Sequence, residues 1–271
     1  MNIVYCGDNQ MTNGLTISVL SLIKHTRSQL NIFIITSDYQ VNNHHYKSID
    51  QYSISKLDQL VKTVNQNSHV IQIDISEIFT RNLPVANLQT IFTPNCMLRL
   101  YLDLIPQLPS KLLYLDTDII CHQDFTELYN QDIDGHELLG VLDHYGKWVF
   151  HNQLHTFDYI NSGMLLLNMT EIKKTDLFQR CREMCTDHKM FMPDQSAINK
   201  LSQSKLIVDH RFNEQHKLSN DTVFQHFTTS FRFYPWIHTQ TVKPWQIDEV
   251  HQTLNIHEYD DIFAEYKKLN V

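Results

Sequence analysis

Glycine is scarce in this chain, with six in 271 residues, at Gly7, Gly14, Gly135, Gly140, Gly146 and Gly163. None of them forms a GxGxxG or P-loop pattern. A glycine-rich backbone cradle for phosphate is therefore excluded, and any nucleotide handled here needs its diphosphate neutralised by a cation and by basic side chains. Cysteine is also sparse. The five thiols (Cys6, Cys96, Cys121, Cys181 and Cys185) include no CxxC and leave an odd count, which predicts reduced core thiols in a cytosolic protein. No run of about 20 apolar residues occurs, so no membrane-spanning segment is expected. MNIVYCGD enters a strand directly, without the charged leader and apolar stretch of a secretory signal. A basic surplus is missing too: the net charge is −8, which argues against general nucleic-acid binding.

What is present describes a globular protein, with 42% apolar and 19% charged residues. The length suits one large domain or two modest ones. One domain over 1–271 is expected, with a core over 1–205 and a C-terminal part over 206–271 that completes the site. The sixteen histidines are scattered. Strands are predicted at 3–6, 31–36, 69–75, 112–115, 138–142, 164–168, 206–208 and 223–227, and helices at 16–24, 46–65, 97–105, 175–186 and 195–201. Alternating strands and helices predict an α/β fold with a mainly parallel central sheet flanked by helices. In such sheets ligands sit beyond the carboxyl ends of the strands, the edge where this reading places Asp8, Asp38, Asp116 and Asp118. After residue 205 the pattern weakens into an aromatic-rich region containing FRFYPWIHTQTVKPW.

The sharpest local feature is LLYLDTD. Leu112 to Leu115 read as a buried strand, and Asp116 and Asp118 follow it, pointing the same way if the backbone stays extended. Paired charge at a buried strand end is costly unless neutralised, and a divalent cation bound by oxygen would do this. A helix cap or a simple ion pair is the bland alternative. Asp132 and Asp134 read as solvated loop residues, and the His151–His155 pair has helical zinc spacing without the glutamate of a hydrolase motif.

Several blocks occur in an order that resembles the family 8 glycosyltransferases, retaining enzymes of the Rossmann-like GT-A fold that include lipopolysaccharide glucosyl- and galactosyltransferases and glycogenin. The blocks are IVYCGD, LRLYL, YLDTD, YINSGMLLLN, MPDQSAIN, QHFTT and KPW. The resemblance implies Mn²⁺ (or Mg²⁺) held by Asp116, Asp118 and His226. It implies a UDP-sugar contacted by Cys6, Asp8, Arg99, Asp116, Thr117, Asn161, Gly163 and Lys243. Asp194 and Gln195 would face the donor sugar, Gln195 beneath the anomeric carbon, and Asp143 would stand near the acceptor. Gln10 and Met11 depart from the Asn and aromatic usual after the first aspartate. The distance from His226 to Lys243 is also longer than usual, with His238 as the competing ligand.

The function so implied is metal-dependent transfer of a hexose from UDP-glucose or UDP-galactose to a glycan, lipid-linked glycan or glycoprotein acceptor, in the cytoplasm or at the inner face of the membrane, for a bacterial surface glycan. Two rivals are a haloacid-dehalogenase-type phosphatase, for which Asp260-Asp261 falls too late in the chain, and a catalytically inactive sugar-nucleotide-binding protein.

Overall fold

The computed structural model describes residues 1–90, 93–144, 158–232 and 238–269. The chain opens with β1 (Asn2–Gly7), α1 (Thr12–His25) and β2 (Asn31–Thr36). A small hairpin, β3 (Tyr39–Val41) and β4 (His44–Tyr46), precedes α2 (Gln51–Lys62), β5 (His69–Asp74) and α3 (Ser76–Arg81). The 46–65 helix expected from sequence is thus shorter. Tyr46 belongs to the hairpin, residues 47–50 connect it to the helix, and Asp50 sets the start by accepting from the Ser53 N–H at 2.9 Å. The helix expected at 97–105 is a 3₁₀ helix, Pro94–Leu104.

β6 (Lys111–Leu115), β7 (Ile119–Cys121), α4 (Thr126–Tyr129) and β8 (Leu138–Leu142) follow. β9 (Ile160–Asn168) begins four residues earlier than its apolar run predicts, because Asn161 to Gly163 are buried and Ile160 still pairs with Leu142 across an irregularity in the ladder. α5 (Met169–Lys174) is a helix the sequence reading lacked, and α6 (Leu177–Asp187) is the helix expected over 175–186. Asp176, at φ 54° in the left-handed region, breaks the run between them. α7 (Pro193–Leu201), β10 (Lys205–Val208), β11 (Phe224–His226), β12 (Ser230–Arg232), β13 (His238–Gln240), α8 (Ile247–Leu254) and α9 (Asp260–Leu269) complete the described chain.

Seven strands form the central sheet in the order β10-β8-β9-β6-β1-β2-β5. All neighbours are parallel except β9, which runs antiparallel to both β6 and β8. Side chains alternate across it as strand geometry requires. Ile3, Tyr5, Leu113 and Leu115 pack with α1, α2 and α9, whereas Val4, Leu112 and Tyr114 pack with the 3₁₀ helix, α6 and α7. Reversal of β9 has a direct effect on the edge where parallel strands end. It delivers the start of β9 there, so Gly163 meets Asp116 at the end of β6, its carbonyl accepting from the Asp116 N–H at 2.7 Å. Among the described residues no helix is long and apolar enough to cross a membrane.

Candidate active site

Asp116 and Asp118 occupy the turn between β6 and β7, and His226 ends β11, which pairs antiparallel with β7 so that His226 is opposite Ile119. This register, rather than sequence proximity, brings the imidazole to the carboxylates. His226 Nε2 lies 3.2 Å from Asp118 Oδ1 and 4.0 Å from Asp116 Oδ2. The three donor atoms all fall within 4.8 Å of one another. Two carboxylate oxygens and an imidazole nitrogen at this spacing fit a hard or borderline divalent ion.

The two carboxylates are held differently. Lys243 Nζ contacts Asp118 Oδ2 at 2.5 Å and donates to the Phe227 carbonyl at 3.0 Å. Burial pushes the Asp118 pKa up, but Lys243 and then His226 outweigh it and hold the group well below the usual carboxylate range. Burial also raises Asp116, and there the opposing Arg99 charge does not fully compensate. One acid is stabilised as the anion while its neighbour resists ionisation, the imbalance expected of two close carboxylates with unequal cationic partners.

Arg99 is itself buried, at 4% exposure, in contrast to the solvated position usual for an arginine. Its partners explain how. Nη2 donates to Asp116 Oδ1 at 2.9 Å, Nε donates to the Cys96 carbonyl at 3.0 Å and lies 3.2 Å from Asp194 Oδ2, and Nη1 donates to the Ser162 carbonyl. Asp194, just before the helix expected at 195–201, is of a residue type that commonly serves as an N-cap. In the structure Met192 occupies the N-cap of α7, Pro193 and Asp194 lie in its first turn, and the Asp194 carboxylate turns inward to Arg99 and to the Ser162 hydroxyl, at 3.3 Å.

Gln195, Asp143 and Asn161 form a buried network at the head of β9. Gln195 Oε1 accepts from the Ser162 N–H at 3.0 Å, and its Nε2 donates to Asp143 Oδ2 at 3.0 Å. Asn161 Nδ2 donates to the same Asp143 oxygen at 3.0 Å, and Asn161 Oδ1 accepts from the Gly163 N–H at 2.9 Å and from Asn213 Nδ2 at 3.0 Å. Asn213 Oδ1 lies 3.1 Å from His226 Nδ1. The three buried amides of this network, Asn161, Gln195 and Asn213, are thereby partnered, as burial of polar groups demands.

The remaining predicted residues divide. Asp8 is buried after β1 and caps a short 3₁₀ turn through the Gln10 N–H at 3.0 Å. Cys6 is half-buried in the strand before it. Thr117 lies between the two aspartates, and its carbonyl faces Gly14 of α1. A Cβ on Gly14 would stand 2.7 Å from that oxygen and 2.6 Å from the Trp245 ring, so the glycine lets the aspartate turn and the KPW segment close on α1. Asp38 does not join the site. It is exposed and pairs with His45 at 2.8 Å.

Asp132 and Asp134 are exposed residues of the turn before Gly135. Asp260 and Asp261 engage His251 at 2.7 Å and Lys24 at 2.6 Å, apart from the Asp116 cluster. His151 and His155, and the side chain of His238, lie outside the described residues. Three residues escaped sequence reading. Tyr114 donates to Asp116 Oδ1 at 2.6 Å and was detectable two positions before the acid, on the same strand face. Ser162 was visible within NSG only as a small residue. Asn213, in a short 3₁₀ helix, carried no local signal.

A sheet with one reversed strand, whose parallel edge gathers carboxylates, an imidazole, the buried Arg99 and the half-buried Lys243, defines an α/β protein with a charged cluster at its strand ends. The chain belongs to glycosyl transferase family 8, whose family model matches residues 2–249. It is 24% identical over 226 residues to a putative glycosyltransferase of Haemophilus influenzae, covering 79% of this chain and 63% of that one. It is 26% identical over 263 residues to the lipopolysaccharide glucosyltransferase WaaO of Escherichia coli, covering 87% and 72%. The chain spans 27% of a probable glycosyl transferase of Streptococcus gordonii and 63% of the glycosyltransferase GlyB of Streptococcus pneumoniae. The galactosyltransferase LgtC, solved with donor and acceptor sugar analogues, superposes with a TM-score of 0.70 at 16% identity, covering 99% of this chain and 96% of that one. The likeness shows that the fold is the GT-A arrangement expected from the sequence.

Proposed function

We propose that this chain is a retaining, metal-dependent hexosyltransferase that moves glucose or galactose from a UDP-sugar to a hydroxyl of a glycan, lipid-linked glycan or glycoprotein. The observation that carries the reading is the convergence of Asp116, Asp118 and His226 donor atoms within 4.8 Å at the strand ends, inside a family 8 chain. Asp116, Asp118 and His226 would hold Mn²⁺ or Mg²⁺, which supplies charge neutralisation for the departing diphosphate. Lys243, now paired with Asp118, would turn to a phosphate oxygen, and Arg99 keeps Asp116 oriented. Cys6, Asp8 and Thr117 would line the nucleoside side. Asn161, Ser162, Gly163 and Asp194 would face the sugar, where Gly163 permits close approach to the backbone.

Gln195 would lie beneath this position as an amide, and its oxygen accepts from the Ser162 N–H. It therefore offers no carboxylate for a covalent intermediate. In the proposed step the bond from the anomeric carbon to the phosphate oxygen breaks. The acceptor oxygen bonds to that carbon on the same face, and its proton passes to the leaving phosphate. Asp143 would stand on the acceptor side. The unit acting is the whole of 1–271, with 206–271 supplying His226 and Lys243. A cytoplasmic setting is in keeping with five cysteines that are all unpaired, and a glycan acceptor would place the enzyme there or at the inner membrane face.

The test is a panel of nucleotide-sugars with Mn²⁺, followed by slow donor hydrolysis, which needs no acceptor. A UDP-hexose should be turned over by the parent and not by Asp118→Ala, with both proteins equally folded by circular dichroism. Equal turnover by the variant, or no turnover of any nucleotide-sugar by the parent, would overturn the proposal. Metal-dependent phosphate release from simple esters alone would point to the phosphatase instead.

A further inference from the structure

The network that ends on His226 has a fixed direction. A backbone N–H can only donate, so the Gly163 N–H at 2.9 Å identifies its partner on Asn161 as the amide oxygen. The same oxygen lies 3.0 Å from an Asn213 side-chain atom, which must be the amide nitrogen. The other end of Asn213 is then its oxygen, 3.1 Å from His226 Nδ1. An amide oxygen cannot donate, so the proton in that bond belongs to Nδ1. Three hydrogen bonds thus carry the orientation of a backbone group into the choice of imidazole tautomer, and all three side chains are buried: Asn213 at 0%, Asn161 at 7% and His226 at 6% exposure.

With the proton on Nδ1, the neutral ring aims the Nε2 lone pair at Asp118 Oδ1, 3.2 Å away, and toward Asp116 Oδ2, 4.0 Å away. That lone pair facing two carboxylate oxygens is repulsive unless a cation sits among them, whereas a second proton on Nε2 would make the ring itself the cation beside Asp118. Resting on the proposed function, we propose that Asn213, backed by Asn161 and the Gly163 N–H, is the positioning residue that fixes His226 as an Nε2 ligand for the divalent ion. Such outer partners set both ring orientation and ligand basicity, and their loss typically costs about 10- to 100-fold in metal affinity.

The test uses protein labelled with ¹⁵N-histidine and loaded with ¹¹³Cd²⁺ as a diamagnetic probe. The expected spectrum shows ¹¹³Cd–¹⁵N coupling to Nε2 of His226, with the proton on Nδ1. Asn213→Ala should weaken Cd²⁺ and Mn²⁺ binding by about 10- to 100-fold by calorimetry and abolish the single coupling pattern. Coupling to Nδ1, Cd²⁺ bound without coupling to His226, or an Asn213→Ala variant with unchanged affinity and coupling would each overturn this assignment. All three outcomes leave the transferase reading standing, whereas a parent protein that binds no divalent ion would sink both. If Asn213→Ala fails to fold, the coupling pattern of the parent decides alone.

Discussion

Tyr114 and Arg99 hold the same oxygen of Asp116 from two sides. The hydroxyl donates to Oδ1 at 2.6 Å and Nη2 at 2.9 Å, while the guanidinium lies 4.2 Å from the Tyr114 ring centroid. With Oδ1 so engaged, Oδ2 is the oxygen turned toward His226. Stacking of a guanidinium on a buried ring adds to the pairing and keeps its plane fixed. Tyr114→Phe keeps the ring and removes one donor. Mn²⁺ affinity should fall by about 10-fold, with stability reduced by about 1 kcal/mol, as read by calorimetry and urea unfolding.

Gly163→Ala probes the other side of the cluster. A Cβ there would stand 2.8 Å from Nδ1 and 2.9 Å from Nε2 of His226, so the ring must move. Metal binding should be lost or fall by at least about 10-fold, while circular dichroism stays unchanged. A crystal structure of the variant should show His226 displaced from Asp118.

The fold was largely readable because its signals are local. Ile3 to Cys6, Asn31 to Thr36 and Leu112 to Leu115 are short apolar runs ended by polar residues, and each is a strand. The reversal of β9 was not readable, since periodicity says nothing of strand direction. The start of β9 was missed because Asn161 and Ser162 look like loop residues until their burial is seen. Arg99 and Asp194 each have a bland reading in isolation, and only tertiary contact joins them. Asn213 is the extreme case: its role depends on a register between β7 and β11 that no window of sequence contains.

Glu137 is fully buried, with no exposed surface. It accepts from the Thr175 and Ser202 hydroxyls at 2.6 and 2.7 Å and from the N–H groups of Gln203 and Ser204 at 2.7 and 3.1 Å. The carboxylate thereby ties the start of β8 to the turn before β10. Glu137→Gln places an amide nitrogen against donors and should cost about 1.5–3 kcal/mol, read as a lowered urea midpoint with an unchanged slope.

His25 should shape acid stability. Burial, and then the charge of Lys24, lower its pKa from 6.5 to about 4. The folded ring stays neutral where the unfolded chain already takes up a proton. Its contribution is therefore complete above pH 6.5, declines as pH falls from 6.5 toward 4, and is constant below that. The ring is partly exposed, which keeps the effect modest. His25→Gln should flatten the loss of stability between pH 6.5 and 4, measured by urea unfolding across that range.

Lys243 and Asp118 stand 125 positions apart along the chain. A ribosome adding about 5–20 residues per second needs roughly 6 to 25 s to travel that distance. Throughout that interval the nascent polypeptide carries an acidic turn that still lacks its lysine counter-ion, so this corner of the protein is completed late in biosynthesis.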